Sequence, residues 1–270
     1  MIFSIFAAYQ RSKTYDNTMK KSIFFIAIIM VAGLCHAQEE LPILSADRPG
    51  YTWDTEILHL HKVSWENGFG FESNPDGART FTLNSTIMRY GIFQNMELRV
   101  GTDFLIFNDG QAKEPTFAMA PLTIGTKLKV YEGSGILPSI GLLAEFKSPH
   151  VGSKELLPSH LAPSLYLLFE HEITDWLNQC YNSGVLWDGE TATPQTFLAL
   201  ALGFSITKQL GAYVESFDYL HPDEGSQYMT EFGFTWMLSR RVQFDLECDL
   251  DFQNLGKYYA IGGGIAWMIN

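Results

Sequence analysis

Cysteine, basic charge and long apolar runs are all scarce in this sequence. Its 270 residues include only Cys35, Cys180 and Cys248, in no repeated spacing, so neither a disulfide framework nor a zinc knuckle can be read from them. Lysine and arginine number 18 against 30 aspartates and glutamates, a net charge of −12. Nucleic acid needs a basic footprint and is excluded as a partner on that ground. Charged residues make up 18% of the chain, below the roughly 25% of an ordinary soluble domain. The 46% apolar and 14% aromatic content is nevertheless far too high for a disordered chain. A mean hydropathy near zero suits a protein whose two surfaces face different solvents.

The one sustained apolar run lies near the start. Met19, Lys20, Lys21 and Ser22 lead into Ile23 to Leu34, then Cys35, His36, Ala37 and Gln38. A basic patch, a short apolar run and small residues three and one before a cut after Ala37 describe a secretory signal peptide, too short for a spanning helix. Met19 is the expected initiator, with Met1 to Thr18 an over-extended start. Leu34 is too bulky to precede a lipid-anchored Cys35. Removing residues 1–37 takes away four basic side chains and only Asp16, leaving an exported chain that is more acidic still. No later stretch is long and apolar enough for a spanning helix. Entry into a membrane would therefore require a closed barrel, since lipid cannot satisfy open strand edges.

The chain after residue 40 repeats with period two. Met96, Leu98, Val100, Thr102, Phe104 and Ile106 share one parity, with Glu97, Arg99, Gly101 and Asp103 on the other. Val242, Phe244, Leu246, Cys248, Leu250 and Phe252 alternate with Gln243, Asp245, Glu247, Asp249 and Asp251. Leu122, Ile124, Leu128 and Val130 alternate with Thr123, Gly125, Lys127 and Lys129, and Phe232, Phe234 and Trp236 with Glu231, Gly233 and Thr235. Successive strand residues face opposite sides, so each segment has one apolar and one polar face.

The spacing predicts twelve strands, near 58–72, 80–90, 96–107, 119–131, 136–147, 160–170, 177–187, 195–206, 210–219, 227–238, 241–252 and 258–269. Connections after even strands are short. Those after most odd strands (73–79, 108–118, 148–159, 188–194 and 220–226) are longer and rich in Gly, Pro and charge, while 253–257 is short. An even strand count with alternating short and long connections predicts an all-β fold: an antiparallel up-and-down transmembrane β-barrel of about twelve strands. Aromatics near many strand ends, including Trp65, Tyr90, Trp187, Trp236 and Trp267, agree with it. A soluble sandwich or lipocalin-like barrel alternates in the same way with its apolar parity turned inward. Parity alone does not give direction. The expected organisation is an exported leader in 1–37, a periplasmic N-terminal segment in 38–57 and the barrel in 58–270.

Four segments resemble the outer-membrane transporter-like family named for the MetA pathway of phenol degradation. Ser45-Ala46-Asp47-Arg48-Pro49-Gly50 is similar to that family's start, and the stretch from Thr86 to Gly101 to its strand-turn-strand segment. Ala120 to Lys127 resembles the next strand, and Val242 to Leu246 the hairpin near the end. The resemblance spans essentially the whole mature chain and implies a barrel with a transport role, its substrate unspecified. Two departures stand out. The chain ends Trp267-Met268-Ile269-Asn270 without a terminal aromatic, and the run Asp245, Glu247, Asp249, Asp251 is unusually acidic.

On a membrane barrel the polar parity lines the interior. The candidate lumen residues are Glu97, Arg99, Asp103, Lys127, Lys129, Glu145, Lys147, Glu215, Glu231, Asp245 and Glu247. They would either select a solute by charge or fill a small barrel with ion pairs. Asp47, Arg48 and Pro49 would tether the N-terminal segment at the periplasmic mouth, plug the lumen, or form a plain leader. His59 and His61 share the apolar parity and suit an interface better than a metal. Gly262-Gly263-Gly264 lacks the helix that phosphate binding needs. Cys180 and Cys248 fall on opposite faces and cannot easily pair.

No cofactor or metal is expected. The expected partners are outer-membrane lipids, an unidentified small solute and the barrel-assembly machinery during biogenesis. The leading expectation is a non-enzymatic outer-membrane channel for passive uptake of small, hydrophobic or aromatic solutes. The alternatives are a lipid-modifying enzyme barrel, which would need a Ser beside His150, His160 or His221, and a structural barrel with a filled lumen.

Overall fold

The computed structural model describes residues 43–108, 110, 114–222, 225–251 and 258–269. The leader in 1–37, its cut after Ala37, Cys35 and the 253–257 connection lie outside those residues.

Thirteen strands form one antiparallel sheet. They are β1 (Val63–Ser73), β2 (Arg79–Phe93), β3 (Met96–Asn108), β4 (Thr116–Met119), β5 (Thr123–Tyr131), β6 (Ser139–Lys147) and β7 (Ala162–Thr174), then β8 (Leu177–Leu186), β9 (Gln195–Ser205), β10 (Leu210–His221), β11 (Gly225–Ser239), β12 (Val242–Leu250) and β13 (Tyr259–Ile269). β1 pairs with β2 on one side and β13 on the other, with Trp65 opposite both Met88 and Trp267. Because β2 also pairs with β3, the sheet closes on itself. Twelve strands make the ring, and closure removes the two open edges a flat sheet of them would have. β4 is the upper continuation of β5: both pair with β3, β4 from Phe104 to Phe107 and β5 from Met96 to Gly101.

Three expectations need correcting. The strand expected at 119–131 is split, because Pro121 has no amide hydrogen to give to the ladder; Ala120 still donates to the Asp103 carbonyl. The first strand begins at Val63 rather than near 58. Residues 59–62 turn instead, with His61 at φ 61° and Lys62 donating to the His59 carbonyl. The 220–226 connection is shorter than expected, since β10 runs to His221 and β11 starts at Gly225.

Burial supplies the direction that parity withheld. Glu66, Arg89, Glu97 and Lys127 are fully buried, whereas Leu98, Val100, Phe234, Trp236 and Phe244 are exposed and Leu246 keeps 63% of its surface. A soluble sandwich would show the reverse. An apolar exterior around a charged interior is the arrangement of a barrel made for lipid.

Candidate functional site

Residues 44–58 run inside the barrel, and the polar parity of the wall holds them. Leu44 donates its N–H to the Arg240 carbonyl at the short-turn end, where the chain enters. The segment then follows the inner wall from strand to strand. The Asp47 and Arg48 amides donate to Glu66 Oε2 on β1 at 3.0 and 3.1 Å. The Tyr51 and Thr52 amides reach the two Glu215 oxygens on β10 at 2.7 and 2.9 Å. Trp53 and Asn182 on β8 exchange two hydrogen bonds through the Trp53 backbone. Thr55 donates from its amide and hydroxyl to Glu170 on β7. Leu58 closes the circuit with its amide on Glu97 of β3. An irregular segment in a barrel cannot join the sheet ladder, so wall side chains satisfy its backbone. Hydrogen bonds to carboxylates are among the stronger kind, contributing about 1.5–3 kcal/mol each.

Two charge clusters anchor the circuit. In the first, Asp47 meets Arg89 at 3.4 Å, Lys127 at 3.1 Å and Arg99. Arg89 is bidentate on Glu97, with both contacts at 2.8 Å, and also holds Glu66 and the Ser45 carbonyl. Arg99 continues to Glu145 and Lys127 to Asp54. Burial works against the Asp47 charge, but Arg89, Arg99 and Lys127 outweigh it and hold this carboxyl well below the usual carboxylate range. In the second cluster, Arg48 lies between Asp245 at 3.0 Å and Glu247 at 3.2 Å on β12. Its side chain occupies space that glycine leaves open: a Cβ on Gly68 or Gly264 would stand 2.2 or 2.5 Å from the guanidinium. Gly264, in the glycine triplet, thus makes room for Arg48. Gly50, at φ +98°, turns the chain from Arg48 toward Glu215, a conformation that disfavours any side chain.

The other sequence-predicted lumen residues are distributed unevenly. Glu231 is buried and accepts a hydrogen bond from the Tyr213 hydroxyl. Lys129 pairs with Glu56 and Glu132 at the short-turn end. Asp103 is half-buried opposite Ser85, away from the Asp47 cluster, and Lys147 closes β6 at the long-loop end. Arg89, Glu66, Glu170 and Asn182 escaped the sequence reading. β2 alternates weakly around Thr82 to Ser85, which hides the inward parity of Arg89. Among the described residues no group of His, Cys, Asp and Glu is arranged to hold a metal. His61 sits outside the strands with Nδ1 facing the Tyr90 hydroxyl. Cys180 is buried, Cys248 half-buried, and both are free thiols. The His160 ring lies against the Gly189 carbonyl and that of His221 against the Gln195 amide; neither contact is to a Ser hydroxyl.

The opposite half of the lumen is aromatic. Leu143, Tyr166, Leu168, Phe197 and Phe217, from β6, β7, β9 and β10, form a buried cluster. Trp53 packs on Tyr166 and Phe197 at centroid distances of 4.9 and 6.2 Å, and Tyr51 on Phe217 at 4.2 Å. Cavities flank the segment. One of about 300 Å³, on the short-turn side, is bounded by Thr52, Trp53, Cys180, Gly203, Gly211 and Glu215. Another of about 390 Å³, at the long-loop mouth, is bounded by Tyr51, Glu72, Phe217, Tyr219, Asp251 and Tyr258. Thr52 and Trp53 line the first cavity and Tyr51 the second.

Solved structures share this architecture. An outer membrane channel from Pseudomonas putida F1 superposes with a TM-score of 0.61 at 12% identity, covering 82% of this chain and 99% of that one. The KdgM porin gives 0.53 at 10% identity, covering 76% and 99%, and the NanC porin 0.51 at 10%, covering 75% and 98%. Identities this low speak for the fold alone. No curated protein matches the sequence. The family model described as putative MetA-pathway of phenol degradation matches residues 46–269, from the lumen segment to the end of β13, and the chain belongs to that family.

Proposed function

We propose that this protein is an outer-membrane channel for passive passage of small solutes, throttled by its own N-terminal segment. The observation that carries the reading is the course of residues 44–58, which circle the inner wall and line cavities on both the short-turn and the long-loop side. The aromatic half of the lumen supports an apolar or aromatic solute, in keeping with the phenol-degradation description of the family. The P. putida channel and the two porins share the fold and are named for transport.

Selectivity should come from carboxylates left over after internal pairing. Arg48 pairs with Asp245 and Glu247, and the Arg89 cluster with Glu66 and Glu97. The acidic groups beyond those pairs, Glu231 and Asp249 on adjacent strands and Glu215 beside them, favour cations.

A barrel filled for stability is the second reading, favoured by the extent of the ion pairing. Planar-bilayer recording of the wild type and of a chain lacking residues 46–56 separates the two. A throttled channel gives small or intermittent wild-type currents, cation-preferring at low salt, and a several-fold larger conductance after deletion. Equal absence of current from both folded proteins would leave the filled barrel.

A further inference from the structure

We infer that the cavity on the short-turn side of the lumen binds small neutral polyols. This deepens the channel reading by giving that side of the passage a solute class, and it rests on that reading for the ligand's role as cargo. Glycine shapes the wall there. β9 and β10 bring Ala201, Gly203 and Gly211 to the cavity, and the strands beside them lay polar side chains across the gaps. Asn178 on β8 is paired with Gly203, and Thr235 on β11 with Gly211. A Cβ on Gly203 would collide with the Asn178 carboxamide, and one on Gly211 would lie 2.6 Å from the Thr235 hydroxyl. Tyr213 covers Gly233 in the same way, its hydroxyl 2.9 Å from where a Cβ would stand. These side chains lie flat along the wall instead of crossing the lumen. A cavity of about 300 Å³ is left between them and the N-terminal segment at Thr52 and Trp53.

Two kinds of polar group border this space, and they differ in what they can offer a ligand. The charged ones are engaged: Asp47 with Arg89, Arg99 and Lys127, Asp54 with Lys127, and Arg48 with Asp245 and Glu247. Glu215 holds the Tyr51 and Thr52 amides. The Asn178 carboxamide and the Thr235 and Ser205 hydroxyls make no hydrogen bond among the described residues. Each of these three can both donate and accept, as a ligand hydroxyl can. An anion would have to draw Arg48 or Lys127 away from a carboxylate, and a cation would have to draw a carboxylate away from its donors; parting a buried pair is costly. An apolar solute would strip water from Asn178 and Thr235 without replacing it. A polyol exchanges that water for hydrogen bonds of the same kind and leaves the ion pairs intact. The volume of about 300 Å³ stands at the lower end of small-molecule sites.

Titration calorimetry of the full chain in detergent with sorbitol, gluconate and glucamine, which share one carbon skeleton and differ in charge, tests this. Saturable binding of sorbitol is expected, several-fold tighter than either ion. Asn178→Ala combined with Thr235→Val removes two hydrogen-bonding groups and should weaken sorbitol about tenfold. Gly203→Ala, which forces the Asn178 carboxamide off the wall while keeping it in the chain, should weaken sorbitol as well. Correct folding of each variant is checked by heat-modifiable gel mobility. No saturable binding of sorbitol, equal affinity for sorbitol and either ion, or an unchanged affinity in the Asn178→Ala, Thr235→Val variant would overturn the site. Planar-bilayer current is recorded separately. Sorbitol binding without any conductance would sink the channel reading and leave the site standing; conductance without sorbitol binding would do the reverse.

Discussion

Removing Arg89 perturbs the point where wall and N-terminal segment are most tightly joined. Its guanidinium is fully buried, bidentate on Glu97 at 2.8 Å, and bonded to Glu66 at 2.8 Å and the Ser45 carbonyl at 2.7 Å. Arg89→Ala would leave Glu66 on β1 and Glu97 on β3, both fully buried, on either side of β2 with their main counter-charge gone. Breaking a buried pair from one side costs about 3–5 kcal/mol, mostly as the penalty of the stranded charge. Arg89→Lys keeps the charge but loses the fork geometry, so a smaller loss of about 1–2 kcal/mol is expected. Adding Glu97→Gln to Arg89→Ala removes one stranded charge and should recover some of the deficit. Urea unfolding from lipid vesicles, followed by tryptophan fluorescence, gives these differences. Protease digestion within 44–58 of the folded barrel should rise in parallel, since the Ser45 carbonyl loses its donor. If Arg89→Ala unfolds within about 0.5 kcal/mol of the wild type, the cluster does not anchor the segment and the reasoning fails.

Two further outcomes follow from the same geometry. Leu246 points outward on β12 with 63% of its surface exposed, so Leu246→Arg should cost about 2–4 kcal/mol in lipid if it lies near mid-bilayer; no loss in vesicle unfolding would place that face outside the hydrocarbon. Asp47 is held below the usual carboxylate range by three cationic neighbours. The stability it lends is present above the ordinary aspartate value of about 3.9 and is lost only as pH falls through its lower folded-state value. The Asp47 carboxyl should therefore remain ionised at pH 4 in a wild-type minus Asp47→Asn infrared difference spectrum; a protonated Asp47 at that pH would count against the cluster.

Much of the fold was legible because a barrel wall repeats with period two and must turn at regular intervals. β12 is the clearest case: Phe244 and Leu246 alternate with Asp245 and Glu247 in the sequence and face opposite sides in the structure. What parity could not give was which face is wet, since a sandwich and a membrane barrel alternate alike. The candidate site was legible only on its wall. Glu97, Arg99, Lys127 and Glu215 lie on regular strands, where alternation marks the polar face. The segment they hold has no periodicity, so only its Asp47-Arg48-Pro49 cluster hinted at a role. Its partners depend on contacts such as Arg48 to Glu247, 199 residues apart, which no local pattern encodes. Pro121 was visible, but a proline alone does not reveal whether a strand ends there or resumes beyond it.

The claim that residues 44–58 throttle the lumen is tested most directly by tying them to the wall. The Trp53 amide and the Asn182 side chain are bonded at 2.8 Å, so Trp53→Cys with Asn182→Cys, in a chain whose Cys180 and Cys248 are replaced by Ser, places two thiols near one another for a reversible tether there. In a planar bilayer, a throttled channel gives lower current through the oxidised protein than after reduction, with the change reversed on reoxidation. Identical currents in the two states, with the disulfide verified by mass spectrometry, would contradict the segment's role as the gate.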